Sequence, residues 1–317
     1  MPLPASDVPM NPRRKSSLRR WSMRVFRIAA LVYLGMALVI FAIQNSLIFP
    51  GASTQGQRDA ILTQGHGNEL LWLHTAGGTR IAALFGKALQ SDGQPLADVH
   101  DRPTVIYFYG NGSCMAYSTD VFDHVRRLGA NVIIPEFEGY GMSAGKPSEK
   151  GCYAAADAAC DYLLGRNDID ARKIVLMGWS LGAAAAIDLA SRRHVAGLVT
   201  LSAFTSLRDM AHQSIPWLPT SLLLKYRFDN VGKLPGISCP ILIVHGIDDD
   251  IVPFEMAARL AASAKGKVAR MNVQGAGHND IFDTGGDKLW LRLGEFLGHL
   301  TPSNRLNSTA TTRPAIE

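Results

Sequence analysis

The stretch from residue 172 to residue 191 constrains the fold of this chain more than any other. It begins with an apolar run at 174–177, which is typical of a strand buried on both faces, and it ends with an alanine-rich helical segment at 183–190. Between them lies Gly-Trp-Ser-Leu-Gly at 178–182, the G-x-S-x-G pattern of a nucleophile elbow, whose glycines suit a sharp turn. This pattern predicts that the Ser180 hydroxyl is raised above a sheet edge, at the positive end of a helix.

A second G-x-S-x-G match, at residues 141–145, stands in a different context. The residues before Ser143 do not read as a buried strand, and Pro147 behind it discourages a helix because proline restricts the residue that precedes it. Ser180 has a strand pattern before it and a helix pattern after it. We therefore predict Ser180 as the nucleophile and Ser143 as a loop serine.

Strand and helix patterns alternate along most of the chain, which indicates a mostly parallel central sheet with helices on both faces. A hairpin is expected first, from strands at 70–75 and 80–85 joined by a glycine pair. Further strands are predicted at 104–109, 132–134, 174–177, 197–201, 241–245 and 268–273, and helices at 117–128, 153–164, 183–190, 254–264 and 289–297. The predicted domain covers residues 50–300, and residues 301–317 are predicted to form a disordered tail.

The amino-terminal region joins a basic segment to an apolar one. Residues 1–24 are expected to form a disordered basic tail, and residues 25–49 provide roughly the 20 apolar positions that a bilayer-spanning helix needs. Seven basic residues lie within residues 1–27 and the next one is Arg58, so the positive-inside rule predicts a cytoplasmic amino terminus. We predict a single-pass membrane anchor with the domain outside, which is the periplasm in a bacterium. The alternative is a cleaved signal peptide, although no clear small-x-small site follows the run.

The net charge of +5 does not indicate a nucleic-acid partner, because residues 1–27 hold seven basic side chains against one acidic one and the rest is nearly neutral. The four cysteines lack the spacing of metal ligands and are expected to be small buried side chains, with a disulfide involving Cys114 or Cys239 left open. Cofactor and metal sites are not expected.

A serine nucleophile needs a histidine base that an acid orients, in the chain order serine, acid, histidine. His278 follows the last predicted strand within a glycine-bearing turn that can carry the imidazole back over Ser180. The acid is expected after the preceding strand, where three carboxylates stand in a row at 248–250. An oxyanion hole requires two backbone N–H groups, one from Leu181 and the second from the loop after the third strand, where Asn111 is the expected donor.

These motifs resemble those of α/β-hydrolases of the Bem46 type and of the α/β-hydrolase domain-containing 12, 13 and 17 type, also grouped with the serine aminopeptidase-like hydrolases, over roughly residues 45–298. The resemblance rests on segments at 45–50, 110–111, 139–149, 178–182, 202–207, 245–253 and 277–280. In that family the acid lies four positions after the histidine of a His-Gly pair, which implies Asp249. The chain differs from the family at Tyr109, where histidine is usual, and at residues 136–138.

The resemblance implies an α/β-hydrolase fold and a membrane-tethered serine hydrolase of carboxylic esters, acting on an acyl or lipid-like small molecule. The connection between residues 202 and 240 is expected to form a short cap over the site. A thioesterase or a serine peptidase with the same triad is the alternative within enzymes. A non-catalytic anchored scaffold is the alternative from another class.

Overall fold

The computed structural model describes residues 12–65 and 67–300 of the chain, and a single sheet forms the centre of this part. Within these residues it has eight strands: β1 Asn68–His74, β2 Arg80–Gly86, β3 Thr104–Phe108, β4 Asn131–Pro135, β5 Ile174–Trp179, β6 Gly197–Leu201, β7 Ile241–Gly246 and β8 Val268–Val273. Their order is β1-β2-β4-β3-β5-β6-β7-β8. Strand β2 pairs antiparallel with β1 and with β4, and the remaining pairs are parallel.

One long helix precedes the sheet, and the other helices lie between or after the strands along the chain. They are α1 Pro12–Ile48, α2 Thr119–Arg127, α3 Glu149–Leu164, α4 Leu181–Arg192, α5 Leu207–Ser214, α6 Thr220–Leu223, α7 Asn230–Lys233, α8 Glu255–Ser263 and α9 Ile281–Leu300. Strands β3, β4 and β7 are buried along their whole length, which agrees with their largely apolar sequences. The cap predicted between residues 202 and 240 contains α5, α6 and α7.

The predicted strands and their order along the chain are confirmed, and the differences lie at element ends. Helix α3 begins at Glu149 rather than at 153, because the Ser148 side chain accepts a hydrogen bond from the N–H of Gly151 and caps the helix. Helix α9 begins at Ile281 rather than at 289. Its first turn is joined to the rest through Gly286, whose φ of 46° only glycine adopts readily.

Helix α1 is longer than the predicted anchor. The expectation of a disordered tail over residues 1–24 was wrong for residues 12–24, which are helical and continue directly into the apolar segment. The part from Arg19 to Ile48 is long and apolar enough to cross a membrane, a property that membrane anchors share with signal sequences. Residues 1–11 and the tail predicted at 301–317 lie outside the described residues.

All four cysteines are buried free thiols, which confirms the expectation that they act as small core side chains. Burial raises the pKa of Cys239 to about 11. These thiols therefore belong to the packing of the domain, and the disulfide that the sequence left open does not form.

Candidate active site

Ser180 stands at a strained turn between β5 and α4. Its backbone has a φ of 53° and a ψ of −116°, a conformation that is rare for a residue with a side chain. The turn is held by a hydrogen bond from the N–H of Ser180 to the carbonyl of Leu201 in β6. Strained backbone of this kind persists where the surrounding structure fixes it, so the Ser180 hydroxyl has a defined position at the carboxyl edge of the sheet.

The two outer glycines of the motif make this turn possible. A Cβ atom on Gly178 would lie 2.3 Å from the carbonyl oxygen of Gly182. A Cβ atom on Gly182 would lie 2.0 Å from the carbonyl oxygen of Phe108. Helix α4 therefore begins in direct backbone contact with β3, at a distance that a side chain would prevent.

His278 is brought to Ser180 by the loop between β8 and α9. Its Nε2 atom lies 2.8 Å from the Ser180 hydroxyl oxygen, and its own carbonyl accepts a hydrogen bond from the Trp179 indole N–H at 3.2 Å. The loop is closed by Asp280, whose side chain accepts a hydrogen bond from the N–H of Gly277 at 2.7 Å. The imidazole is 5 % exposed, so its contact with Ser180 is largely sheltered from water.

Asp249 lies on the far side of the imidazole. Its two carboxylate oxygens are 2.9 Å and 3.1 Å from Nδ1 of His278. One of these oxygens also accepts hydrogen bonds from the backbone N–H groups of Ile251 and Val252. Burial acts to raise the pKa of Asp249, but the hydrogen bond from His278 and the amide of Val252 outweigh it and hold that pKa below its ordinary value.

The three carboxylates that the sequence left as alternatives are thus distinguished by position. Asp248 and Asp250 are exposed, while the Asp249 side chain is buried against the ring of His278. The structure brings Ser180, His278 and Asp249 into one chain of hydrogen bonds. That chain runs from a carboxylate through an imidazole to a hydroxyl, which is the arrangement that activates a serine.

Ser143, the serine of the second motif, has a structural role. Its hydroxyl accepts a hydrogen bond from the N–H of Ala82 and donates one to the carbonyl of Glu136. Both of its partners are backbone groups, so Ser143 joins the loop after β4 to strand β2.

The two predicted oxyanion donors both belong to segments next to Ser180, since Leu181 follows it in the chain and Asn111 follows β3, the neighbour of β5 in the sheet. Leu181 is the first residue of α4, so its N–H has no acceptor within the helix. Asn111 lies in the loop after β3, where its carbonyl accepts hydrogen bonds from the N–H of Gly51 and from the hydroxyl of Tyr140. Its side-chain amide donates to the carbonyl of Ile48 at 3.2 Å, so the last residue of α1 helps to hold the loop.

A buried carboxylate, that of Glu136, holds the loop after β3 in place. Glu136 accepts hydrogen bonds from the Tyr109 hydroxyl at 2.5 Å and from the N–H of Met115 at 2.9 Å. Burial raises the pKa of Glu136 although these donors act to lower it, and burial with the neighbouring carboxylate raises the pKa of Tyr109 well above its usual value. Tyr109 and Glu136 are the positions at which the chain differs from the family pattern, and here they form one contact.

His245 is a neighbour of the site that the sequence did not identify. It is the last but one residue of β7, is 1 % exposed, and its Nε2 atom lies 2.9 Å from the carbonyl of Val252 and 3.4 Å from Asp249. Burial lowers the pKa of His245. A neutral ring whose Nε2–H donates to Val252 therefore packs behind the acid. The His-Gly pair directly after a strand was the only sequence signal for it.

Two cavities meet at the Ser180 hydroxyl. One, of about 350 Å³, is lined largely by polar and small groups from 110–113 together with Tyr117, Trp179 and Asn279. The other, of about 280 Å³, has a mainly apolar wall on the side of Leu181. Its apolar residues are Leu47, Ile48, Leu181, Phe204, Leu207, Met210, Ile251 and Val252. We call these the polar cavity and the apolar cavity.

The described residues include no group of three or more His, Cys, Asp or Glu side chains that could hold a metal ion. The groups available at the junction of the two cavities are a hydroxyl, an imidazole, a carboxylate and backbone amides. Such a set serves nucleophilic attack and proton transfer.

The sheet, and the strained serine between β5 and α4, are those of the α/β-hydrolases. A family model described as alpha/beta hydrolase fold matches residues 103–228. The chain is 33% identical over 266 residues to the uncharacterized protein Rv2307c of Mycobacterium tuberculosis, covering 83% of this chain and 91% of that protein. It is 30% identical over 217 residues to alpha/beta hydrolase domain-containing protein 17B of Xenopus laevis, covering 67% of this chain and 70% of that protein.

Among solved structures, an esterase of Pyrococcus furiosus, Pf2001, has a similar fold. The TM-score is 0.60 at 20% identity, and the match covers 73% of this chain and 90% of that one. The chain belongs to the α/β-hydrolase fold family, among the α/β-hydrolase domain-containing proteins. The fold and the family that the motifs indicated are both confirmed.

Proposed function

We propose that this protein is a membrane-anchored serine hydrolase that cleaves carboxylic esters with an acyl or lipid-like character. The observation that carries the proposal is the hydrogen-bonded series from Asp249 through His278 to Ser180, at the point where a polar and an apolar cavity meet. Ser180, His278 and Asp249 are the proposed catalytic triad. Asn111 and Leu181 are the proposed oxyanion donors.

In the proposed mechanism the Ser180 hydroxyl oxygen attacks the acyl carbon while Nε2 of His278 takes the hydroxyl proton. Asp249 holds the ring orientation through Nδ1 and stabilises the imidazolium that forms. The backbone N–H groups of Leu181 and Asn111 donate to the oxyanion. His278 then gives its proton to the departing alcohol, and water, deprotonated by His278 in its turn, hydrolyses the acyl-enzyme.

The two cavities suggest how an ester would lie. The apolar cavity borders Leu181, one of the proposed oxyanion donors, and its wall suits an acyl chain, because burying apolar surface is worth about 25 cal/mol per Å². The polar cavity is lined by Tyr117, Asn279 and the loop at 110–113, and it suits an alcohol or a headgroup. On this basis, esters with an apolar acyl chain and a polar leaving group are the preferred substrates.

The membrane anchor is proposed for α1. Its apolar stretch is exposed, and Arg19, Arg20, Arg24 and Arg27 lie at its amino-terminal end, which favours a cytoplasmic amino terminus and a domain on the outer side. The helix end is also part of the domain. Gln44 bonds to Leu223 and Lys225 in the cap, and Ile48 bonds to Asn111. These contacts favour an uncleaved anchor over a signal peptide.

A fluorophosphonate probe tests the nucleophile, because it labels only an activated serine. The full-length protein in detergent should be labelled, and Ser180→Ala should abolish the labelling. Ser143→Ala, in the second G-x-S-x-G motif, should keep it. Unchanged labelling of Ser180→Ala would reject the assignment, and an unlabelled wild-type protein would favour the non-catalytic scaffold.

The leaving group is tested with a panel of p-nitrophenyl esters, acyl thioesters and aminoacyl amides at matched concentrations. The proposal expects the highest kcat/KM for esters. A higher value for thioesters or amides would assign the same triad to a thioesterase or a peptidase.

A further inference from the structure

One part of the cap is apolar, exposed and without charge. From Gln213 to Leu224 the sequence has no charged residue. We call residues 215–224 the cap segment. Within it the side chain of Leu222 is 83% exposed and that of Trp217 is 49% exposed. Large apolar side chains that are exposed within one uncharged segment indicate an interaction surface rather than a part of the core.

The cap segment lies along α1. The Tyr33 ring meets the Trp217 ring edge-on at 6.1 Å, and the Tyr33 hydroxyl donates to the carbonyl of Trp217. Further along the helix, the Gln44 side chain donates to the carbonyl of Leu223 and accepts from the N–H of Lys225, each at 2.9 Å. Gln44 is 4% exposed, so this polar pair is sealed between the helix and the cap.

These two contacts set how far the cap segment reaches along the helix. Tyr33 precedes Gln44 by eleven positions, which corresponds to about 16 Å along the helix axis. A bilayer has a hydrocarbon core about 30 Å thick, so the reach matches about one leaflet. A helix that crosses the bilayer therefore carries the cap segment into the leaflet on the side of the domain.

The backbone of the cap segment is suited to an apolar solvent. Pro216 and Pro219 have no N–H group to satisfy. Several of the remaining N–H groups donate to carbonyls within the cap, namely those of Ile215, Leu218, Thr220, Leu222 and Leu224. Unsatisfied backbone groups are costly in lipid, and this segment pairs many of its own.

Lys225 marks the end of the apolar surface. Its ammonium group lies 4.7 Å from the centre of the Phe41 ring on α1, and the residue is exposed. A lysine in this position keeps its methylene stem on apolar surface and directs its charge toward the lipid headgroups. Lys225, the first charged residue after the cap segment, therefore lies beside the carboxyl-terminal part of α1, which contacts the domain.

We propose that the cap segment inserts into the lipid bilayer beside α1, so that the apolar cavity at Ser180 receives its acyl chain from the membrane. The inference rests on the proposed anchor. The residue that closes α1, Ile48, and its neighbour Leu47 line the apolar cavity, and so do Leu207 and Met210 of α5, the helix that leads into the cap segment. Helix α1 and the cap therefore line the apolar cavity and also carry the surface that contacts the lipid.

Environment-sensitive labels on single introduced cysteines test the insertion, since all four native cysteines are buried. The full-length protein carries an NBD label at Leu222→Cys, at Leu38→Cys on α1 or at Leu291→Cys on α9, and is reconstituted in phosphatidylcholine vesicles. Leu38 and Leu291 are each 68% exposed. Phosphatidylcholine with nitroxide-bearing acyl chains should quench the labels at 38 and 222 several-fold more than the label at 291.

The three labels separate the inference from the anchor on which it rests. If the label at 38 is quenched but the label at 222 is quenched no more than the label at 291, the insertion is overturned and the anchor stays in place. No quenching at 38 would reject the anchor and, with it, the insertion.

A kinetic comparison provides a second, independent measurement. Leu222→Asn should lower the hydrolysis of a long-chain ester embedded in vesicles several-fold, and it should leave the hydrolysis of water-soluble p-nitrophenyl acetate unchanged, because Leu222 lies outside both cavities. An equal rate on the embedded ester would overturn the proposed delivery from the membrane. A matched Leu291→Asn variant controls for the loss of an exposed leucine as such.

Discussion

The carboxylate of Asp249 contacts Nδ1 of His278 with one oxygen at 2.9 Å and the other at 3.1 Å, while backbone amides hold the carboxylate from behind. This contact fixes the ring so that Nε2 faces the hydroxyl of Ser180. The orientation of the proposed base therefore depends on the buried Asp249, because the other two carboxylates of the loop, those of Asp248 and Asp250, are exposed.

Replacing Asp249 by Asn should therefore reduce kcat by roughly three to four orders of magnitude, because an amide can no longer stabilise the imidazolium. The KM should change little. Asp248→Asn, an exposed neighbour, is the matched control and should stay within about threefold of the wild type. Steady-state kinetics on a p-nitrophenyl ester measure both. A larger loss for Asp248→Asn would transfer the role to that residue.

The contact between Tyr109 and Glu136 supports the loop that carries Asn111. Tyr109→Phe removes a hydroxyl that donates to Glu136 and accepts from the N–H of Phe137, both of which are buried. The expected cost is about 1–3 kcal/mol in the free energy of unfolding, and the loosened loop should also lower kcat several-fold. Denaturant unfolding and ester kinetics measure the two effects.

Tyr117→Phe is the control for that loss of stability. Its hydroxyl bonds to Asp59 at the surface, and the residue is 50% exposed, so its removal should change stability by less than about 0.5 kcal/mol. Equal losses in the two variants would mean that Glu136 does not depend on its tyrosine partner.

Much of this site was predictable because its parts follow strands of one parallel sheet. The carboxyl ends of parallel strands meet at one edge, so Ser180 after β5, Asp249 after β7 and His278 after β8 were expected near one another. The elbow was identified by glycines that backbone contact requires, as the approach of Gly182 to Phe108 illustrates. Sequence order and local chemistry carried those predictions.

Other parts depend on contacts between distant segments, which leave no local signal. Nothing in the sequence of α1 indicates that Ile48 bonds to Asn111, because the interaction uses a backbone carbonyl. The same holds for Gln44, which reads as an interruption of an apolar run but is a sealed link to the cap. His245 is a further case, because its role comes from packing behind Asp249.

His245 should make the protein sensitive to moderate acid. Burial lowers its pKa in the folded state, whereas in the unfolded chain it titrates near its ordinary value of about 6.5. The unfolded chain then binds more protons below pH 6.5, so stability falls as the pH drops through that range. The lowered pKa of Asp249 acts separately, because its stabilisation is lost only below about pH 4.

His245→Gln keeps a side-chain N–H that can donate to the carbonyl of Val252 but does not titrate. Its melting temperature should fall less steeply than that of the wild type between pH 7 and pH 5, with a difference of a few degrees. Thermal unfolding of the full-length protein in detergent measures it. His212→Gln, exposed on α5, should keep the wild-type slope. Parallel slopes for His245→Gln and the wild type would exclude His245 as the source.

The apolar cavity should decide which acyl chains the protein accepts. Met210 lines its wall from α5, and Met210→Trp would fill part of a space of about 280 Å³. The kcat/KM for a decanoyl ester should fall roughly tenfold, because each methylene excluded from an apolar pocket is worth about 1–3 kcal/mol, whereas an acetyl ester should change less than about threefold.

His212→Trp adds similar bulk to the same helix outside the cavity and should affect neither ester. A p-nitrophenyl ester series from two to twelve carbons measures the preference. A uniform loss across the series would show that the acyl chain lies elsewhere, and an equal effect in His212→Trp would show that the change acts on the helix rather than on the cavity.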